Sequence, residues 1–351
     1  MTTTEAPGAG STKTVAVSEG DLLLISGAFG LGEVRDVTFL AAGIMNCNWR
    51  VSTGAGTYAL KLLCDVPAAV AARNAGVLDG LAAGGVPVCP PLRTASGEAV
   101  LRAGAGDYLV SPWAEGDHQP GTSLPVGEAG ALGALTAEIH GALARQAALG
   151  PAGTRPYARV AGPDTAVGKA DRLLGVLAAR RELTGFDVAA RRLLEDRKAL
   201  IGKHRDCAPS GGEVPGPFGW THGDLQFRNI LRDGGVVSAV LDWDRISVRP
   251  LAEEVARTAQ VQFGGEHGYL DLERIAAFAA GYRSVRPLPR EDLADAVERL
   301  WWKRLTDYWT FEFHYDRGDH GPDGLMEPGE VVLAWWAERR HQVQDAFAAG
   351  A

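Results

Sequence analysis

No apolar run in the 351 residues approaches the roughly 20 that a bilayer-spanning helix needs, because Gly, Pro, Asp or Arg interrupts every candidate. No membrane partner is therefore expected, and the cytoplasm is the expected location. The cysteines are only four, Cys47, Cys64, Cys89 and Cys207, widely separated and without a CxxC pair. That spacing excludes a zinc ribbon and a disulfide framework. Positive charge is also scarce: 35 Lys and Arg stand against 43 Asp and Glu, for a net charge of -8. Without a basic cluster to neutralise a phosphate backbone, no nucleic-acid partner is expected. The first residues, MTTTEAPGAGSTKT, lack the basic, apolar, small-residue order of a signal peptide, and residues 1–15 read as a disordered tail.

What is present is enough apolar material, 46% of residues, for a full core in one large domain or two unequal lobes. From Asp36 to Pro112 short runs such as NWRVST, TYALKLL and DYLVSPW alternate between Gly-containing turns, the pattern of strands. One helix interrupts them over residues 67–84, opened by Pro67 and closed by Gly84-Gly85. Beyond Gly116 helical spacing takes over, as in Leu132, Leu135, Ile139 and Leu143. The reading is an α+β, two-lobed chain: a small antiparallel-sheet lobe with one main helix over 16–112, and a larger, mainly helical lobe over 113–351. In the second lobe the one clear β element is ILRDGGVVSAVLDW, where Asp233-Gly234-Gly235 predicts a hairpin turn.

The stretch THGDLQFRNILRDGGVVSAVLDWD, residues 221–244, carries the chemistry. Phosphoryl transfer asks of a protein a proton acceptor, oxygen ligands for magnesium and positive charge against the phosphates. Asp224 and Asn229 reproduce the Asp-x4-Asn spacing of a kinase catalytic loop, and Asp242 closes the hairpin where a second metal-binding carboxylate is needed. Asp242 stands between Leu241 and Trp243, where an unpaired carboxylate would be costly to desolvate unless it met a cation. His222, just before Gly223, suits orienting the loop backbone better than acting as a base.

With these motifs the chain resembles the aminoglycoside phosphotransferase and choline kinase-like family of small-molecule kinases, which has the protein-kinase-like fold. The resemblance extends over residues 36–315, strongest in HGDLQFRNIL and LDWD and weaker in GIMNCNWRVSTGAGTYALKLL, LAAGGVPVCPPL, YLVSPWAEG and EIHGAL. It implies a phosphotransferase that uses Mg2+ and ATP or GTP to phosphorylate a hydroxyl of a small molecule: an aminoglycoside, macrolide or nucleoside antibiotic, or a related metabolite. A monomer or homodimer is expected. Position by position, Asp224 is implied as base, Asn229 and Asp242 as metal ligands, and Lys61 as the phosphate-holding lysine. Gly43 and Asn46 are implied in the nucleotide-covering loop, and the Ser111 carbonyl with the Trp113 N–H at the adenine edge. Asn74 departs from the pattern, standing where the family places a Glu that pairs with the lysine, and Asp65 or Asp79 would have to substitute. That departure also admits a nucleotide-binding pseudokinase acting as sensor or scaffold. A second departure puts Glu253 and Glu254 where relatives carry Asp, a difference read as one of folding.

For the acceptor, ERLWWKRLTDYWTFEFHY over 298–315 combines rings with Asp307, Trp309, Glu312 and His314 and could line a pocket. Aromatics at helical spacing are also what a core looks like, and the Trp335-Trp336 pair is read as packing.

Overall fold

The computed structural model describes residues 17–40, 46–104, 106–264 and 268–349, and its contacts divide the chain into two units. The first opens with α1 (Glu19–Phe29), which the sequence reading missed. The Ser18 side chain caps it by accepting from the Asp21 N–H, and Gly30 ends it in the left-handed conformation. Then come β1 (Val34–Leu40), β2 (Cys47–Thr53), β3 (Thr57–Leu62), α2 (Ala68–Ala83), β4 (Leu101–Ala103) and β5 (Gly106–Pro112). The strands form one antiparallel sheet in the order β1-β2-β3-β5-β4.

One face of that sheet is dry. Trp49 and Val51 of β2, Leu60 and Leu62 of β3, and Tyr108 and Val110 of β5 pack with Ile25 and Phe29 of α1, each contributing on the order of 1.5–3 kcal/mol by full burial. Because side chains alternate along a strand, Lys61, set between Leu60 and Leu62, projects from the opposite face. On α2 the buried positions Ala71, Asn74, Ala75 and Leu78 follow helical spacing, so an amide sits on the apolar stripe. The helix ends where Gly85, at φ 83°, and Val86 donate back to Ala82 and Leu81, the glycine-dependent stop expected there.

The second unit holds α3 (Val126–Ala144), β6 (Tyr157–Ala158), α4 (Pro163–Ala178), α5 (Gly185–Lys203), β7 (Gly212–Glu213) and β8 (Phe218–Thr221). The predicted hairpin follows as β9 (Ile230–Asp233) and β10 (Val236–Val240), with Gly234 and Gly235 both at positive φ, as a tight two-residue turn requires. Residues Leu231–Asp244 cluster with the sheet unit, whereas the sequence reading put them in the helical lobe. The cause is backbone pairing: Arg232 and Asp117 exchange N–H···O bonds, and Val240 donates to the Pro87 carbonyl at 2.7 Å.

The chain continues through β11 (Ser247–Pro250), α6 (Leu251–Phe263), α7 (Leu272–Val285), α8 (Arg290–Thr306), α9 (Trp309–Glu312), α10 (Met326–Glu338) and α11 (Arg340–Ala348). Helices α3 and α7 touch through glycine: a Cβ on Gly281 would lie 1.9 Å from the Gly130 carbonyl oxygen, and one on Gly133 2.0 Å from that of Phe278. Trp301, Trp302, Tyr308 and Phe311 are fully buried, so most of the aromatic segment 298–315 is core. Among the described residues no helix is long and apolar enough to cross a membrane.

Candidate functional site

In the sheet unit Lys61 meets two carboxylates of the segment that follows β10. Its Nζ donates to Asp242 Oδ1 at 2.9 Å and to Asp244 Oδ2 at 2.6 Å. Burial alone would lower the lysine's pKa; the two charges and hydrogen bonds outweigh it and hold the ammonium above its ordinary value. Asn46 adds to the cluster, donating from Nδ2 to the same Asp244 oxygen at 2.9 Å while its Oδ1 accepts the Cys64 N–H at 3.0 Å. Its amide thus serves the carboxylate cluster. Gly43, its expected companion, lies outside the described residues.

Asp65 and Asp79, the expected substitutes for a lysine-pairing Glu, are not the carboxylates that hold Lys61. Asp242 and Asp244 are, and Asp79 pairs with Arg93 instead. Asn74 acts one step behind them: its Nδ2 donates to the Trp243 carbonyl at 2.9 Å and its Oδ1 accepts from Arg73. The buried amide on α2 is therefore satisfied, and it buttresses the backbone between the two aspartates.

Asp242 is the one non-glycine residue with positive φ, 60°, among those described. Such a conformation costs on the order of 1–3 kcal/mol and persists where its surroundings enforce it. It corrects the expectation of a desolvated carboxylate. The turn aims Asp242 outward, with 40% of its side chain exposed against 10% for Asp244. Trp243 instead goes into the interior and donates from Nε1 to the Val240 carbonyl.

The helical unit carries the HGD loop directly after β8. Thr221 locks the strand by donating from Oγ1 to the Ser247 carbonyl of β11. Gly223 sits at φ 86°, and a Cβ there would lie 2.2 Å from the Arg245 carbonyl oxygen, so only glycine fits. His222 is buried, and its Nδ1 accepts the Asp224 N–H at 3.2 Å within the loop. Asp224 accepts from Arg257 Nη2 at 2.6 Å on one oxygen and from Gln226 Nε2 at 3.1 Å on the other. Asn229 donates from Nδ2 to the Asp224 carbonyl at 2.8 Å, which leaves its amide oxygen as the group to offer a cation.

Glu254 of α6, assigned to folding in the sequence reading, reaches the loop itself. Its carboxylate accepts the backbone N–H groups of His222, at 3.1 Å, and Gly223, and lies 2.7 Å from His140 Nε2. His140 Nδ1 in turn lies 2.9 Å from the Tyr282 hydroxyl. Burial pushes the Glu254 carboxyl up, but the hydrogen bond and charge of His140, the charge of His222 and the Gly223 N–H bring it below its usual value. Burial also drives the Tyr282 hydroxyl well above its usual range.

A cavity of about 240 Å³ lies within the helical unit, with Arg197, Gln260, Arg304, Asp307, Trp309 and Trp336 in its wall. Two of the four residues expected at an acceptor site, Asp307 and Trp309, are thus brought together. Glu312 is elsewhere, paired with Lys169 at 3.2 Å, and His314 pairs with Asp323 while stacking on Phe186. Arg197 is neutralised by Glu330. Arg304 donates to Gln260 Oε1 at 2.8 Å and has no carboxylate partner within ion-pair distance among the described residues. Burial, with the charges of Arg257 and Arg197, lowers its pKa from the usual arginine value against the pull of Asp307.

The Ser111 carbonyl and the Trp113 N–H, expected at the adenine edge, lie on the β3 side of β5. The Trp113 N–H donates to the Thr57 carbonyl at 3.1 Å, and Ser111 stands opposite Ala59 in the same phase of the ladder. Both face β3, which puts the Pro112 carbonyl on the other edge of β5.

A family model described as "Phosphotransferase enzyme family" matches residues 36–288. The chain is 26% identical to a homoserine kinase of Methylobacillus glycogenes over 80% of its own length and 82% of that protein's. In fold it is similar to a spectinomycin phosphotransferase solved with ADP and spectinomycin, at TM-score 0.64 and 13% identity, covering 91% of this chain and 97% of that one. It is also similar to an amicoumacin kinase solved with AMP-PNP and Ca2+, at TM-score 0.57 and 18% identity, covering 93% and 94%. The two-lobed kinase-like fold read from HGDLQFRNIL and LDWD is borne out.

Proposed function

Since the chain belongs to the phosphotransferase enzyme family and is a small-molecule kinase, we propose that it transfers the γ-phosphate of ATP or GTP to a hydroxyl of a small hydroxylated metabolite. The observation that carries this reading is the set of side chains at Asp224, Asn229, Asp242 and Lys61, each held by a specific partner in a form suited to its role.

Asp224, fixed by Arg257 and Gln226, takes the proton of the acceptor hydroxyl as its oxygen attacks the γ-phosphorus. The bond from that phosphorus to the bridging oxygen breaks in line, and the nucleoside diphosphate leaves with the electron pair. Lys61 supplies positive charge to the phosphates. A carboxylate at Asp242 and an amide oxygen at Asn229, freed by the orientation of its Nδ2, are the hard oxygen donors that Mg2+ takes. When bound, Mg2+ neutralises phosphate charge. The Pro112 carbonyl is the group at the adenine edge.

Sequence similarity to homoserine kinases favours a hydroxy amino acid over the antibiotics that the motifs alone suggested. A cavity of about 240 Å³ agrees, since it falls below the roughly 300–1,000 Å³ of drug-sized sites. The test is coupled nucleotide consumption with Mg2+ and ATP or GTP against L-homoserine, choline, aminoglycosides, macrolides and nucleoside antibiotics. Acceptor-dependent turnover should fall about 10²- to 10⁴-fold in Asp224→Ala. Nucleotide binding with no transfer to any acceptor would instead describe a pseudokinase.

A further inference from the structure

The cavity of the helical unit has an unusual balance of charge. Its wall contains two cations and two carboxylates, and only one pair of them is matched: Arg197 with Glu330. Arg304 and Asp307, one turn apart at the end of α8, do not form an ion pair. Each has a neutral partner instead: Gln260 Oε1 for Arg304, and the Trp309 N–H, at 3.1 Å, for the Asp307 carboxylate. Two further donors in the same wall, Arg304 Nε and Trp336 Nε1, are buried with no hydrogen-bond partner among the described residues. An arginine and a carboxylate that line one cavity without a charged partner mark a place where a ligand of complementary charge completes the set.

The required ligand has an anionic group rich in acceptor oxygens and, beside it, a cationic donor. We propose that this cavity is the acceptor subsite for a zwitterionic hydroxy amino acid, with Arg304 binding its carboxylate and Asp307 its ammonium. The guanidinium fork suits a planar carboxylate. Helix α6 ties the subsite to the reaction: Gln260, which holds Arg304, lies three residues beyond Arg257, which holds Asp224, on one helix face. Trp309 and Trp336 supply apolar wall around the carbon chain. The assignment rests on the kinase reading above, and it predicts that an amino alcohol without the carboxylate is a poor acceptor.

The experiment compares three acceptors in wild type, Arg304→Met, Arg304→Lys and Asp307→Asn: L-homoserine, 3-amino-1-propanol, which lacks the carboxylate, and 4-hydroxybutyrate, which lacks the ammonium. Wild type should prefer L-homoserine over both in kcat/KM by 10²-fold or more. In Arg304→Met the preference over 3-amino-1-propanol should collapse through KM, with Arg304→Lys intermediate; in Asp307→Asn the preference over 4-hydroxybutyrate should collapse. Calorimetric titration of L-homoserine into the same proteins tests the subsite independently of turnover, and unchanged melting with AMP-PNP and Mg2+ shows the variants folded. Transfer to another alcohol, with L-homoserine neither bound nor used, overturns the subsite and leaves the kinase reading standing. L-homoserine binding weakened in Arg304→Met without transfer to any acceptor supports the subsite and overturns the kinase reading.

Discussion

Glu254 and Arg257, three residues apart on α6, hold the HGD loop in two ways: the first by its backbone, the second by the carboxylate of Asp224. With Gln260 three residues further, a single helix face organises the loop and one wall of the cavity.

Removing the guanidinium should separate positioning from stability. The Arg257–Asp224 pair is partly exposed, so Arg257→Ala should cost less than about 1 kcal/mol in urea unfolding. Turnover should nevertheless fall by up to about 10²-fold, because Asp224 loses its orientation. The readout is kcat at saturating nucleotide and acceptor, set beside the unfolding curve.

Glu254→Gln should show its effect through pH. The folded carboxyl lies below its ordinary value of 4.5, so its stabilising contribution is fully present above that value and is lost as pH falls through the lower folded value. Melting temperature followed from pH 7 down to acid should drop for wild type in that window and less steeply for the variant. At neutral pH the variant should be less stable by about 1.5–3 kcal/mol, the range for a hydrogen-bonded charge.

Gly223→Ala should be destabilising by more than the roughly 1–3 kcal/mol of left-handed strain, because the added carbon also meets the Arg245 carbonyl. Gly127→Ala, on α3 with nothing within 4 Å of its Cβ, should instead be neutral or stabilising by up to about 1 kcal/mol. Thermal melts of the pair distinguish a steric requirement from a general intolerance of alanine.

Asp244→Asn removes the shortest contact of Lys61 and an acceptor of Asn46. The expected outcome is a 10- to 100-fold loss in kcat/KM for nucleotide, corresponding to about 1.5–3 kcal/mol. Steady-state kinetics in ATP at fixed acceptor measure it.

The parts of this site that could be read in the sequence are those set by local spacing. Asp224, Asn229 and Asp242 lie in one loop and hairpin, and the helix over 67–84 and the Gly234-Gly235 turn announced themselves by composition. What escaped depends on direction and distance. That Ser111 and Trp113 turn their backbone groups toward β3 escaped because a strand's period of two does not say which phase faces which neighbour. Asp244 meets Asn46 across 198 positions, and Arg257 meets Asp224 across 33. Glu254 did leave a signal: with Leu251, Val255 and Thr258 it occupies the buried stripe of α6, and an acid there needs donors. The outward turn of Asp242 left none, since its positive φ follows from Asn74 and Trp243 holding the segment.

The buried contacts running from Glu254 to His140 and Tyr282 join α6, α3 and α7. The loop sequence is complete in a growing chain by Asn229, yet the carboxylate that fixes its backbone comes 25 residues after that and is braced by a tyrosine at 282. The contacts that order the HGD loop are therefore supplied by three helices that lie outside it in the sequence. A chain that ends at Asn229 carries the whole HGD motif but none of the side chains of α6 and α7 that hold it.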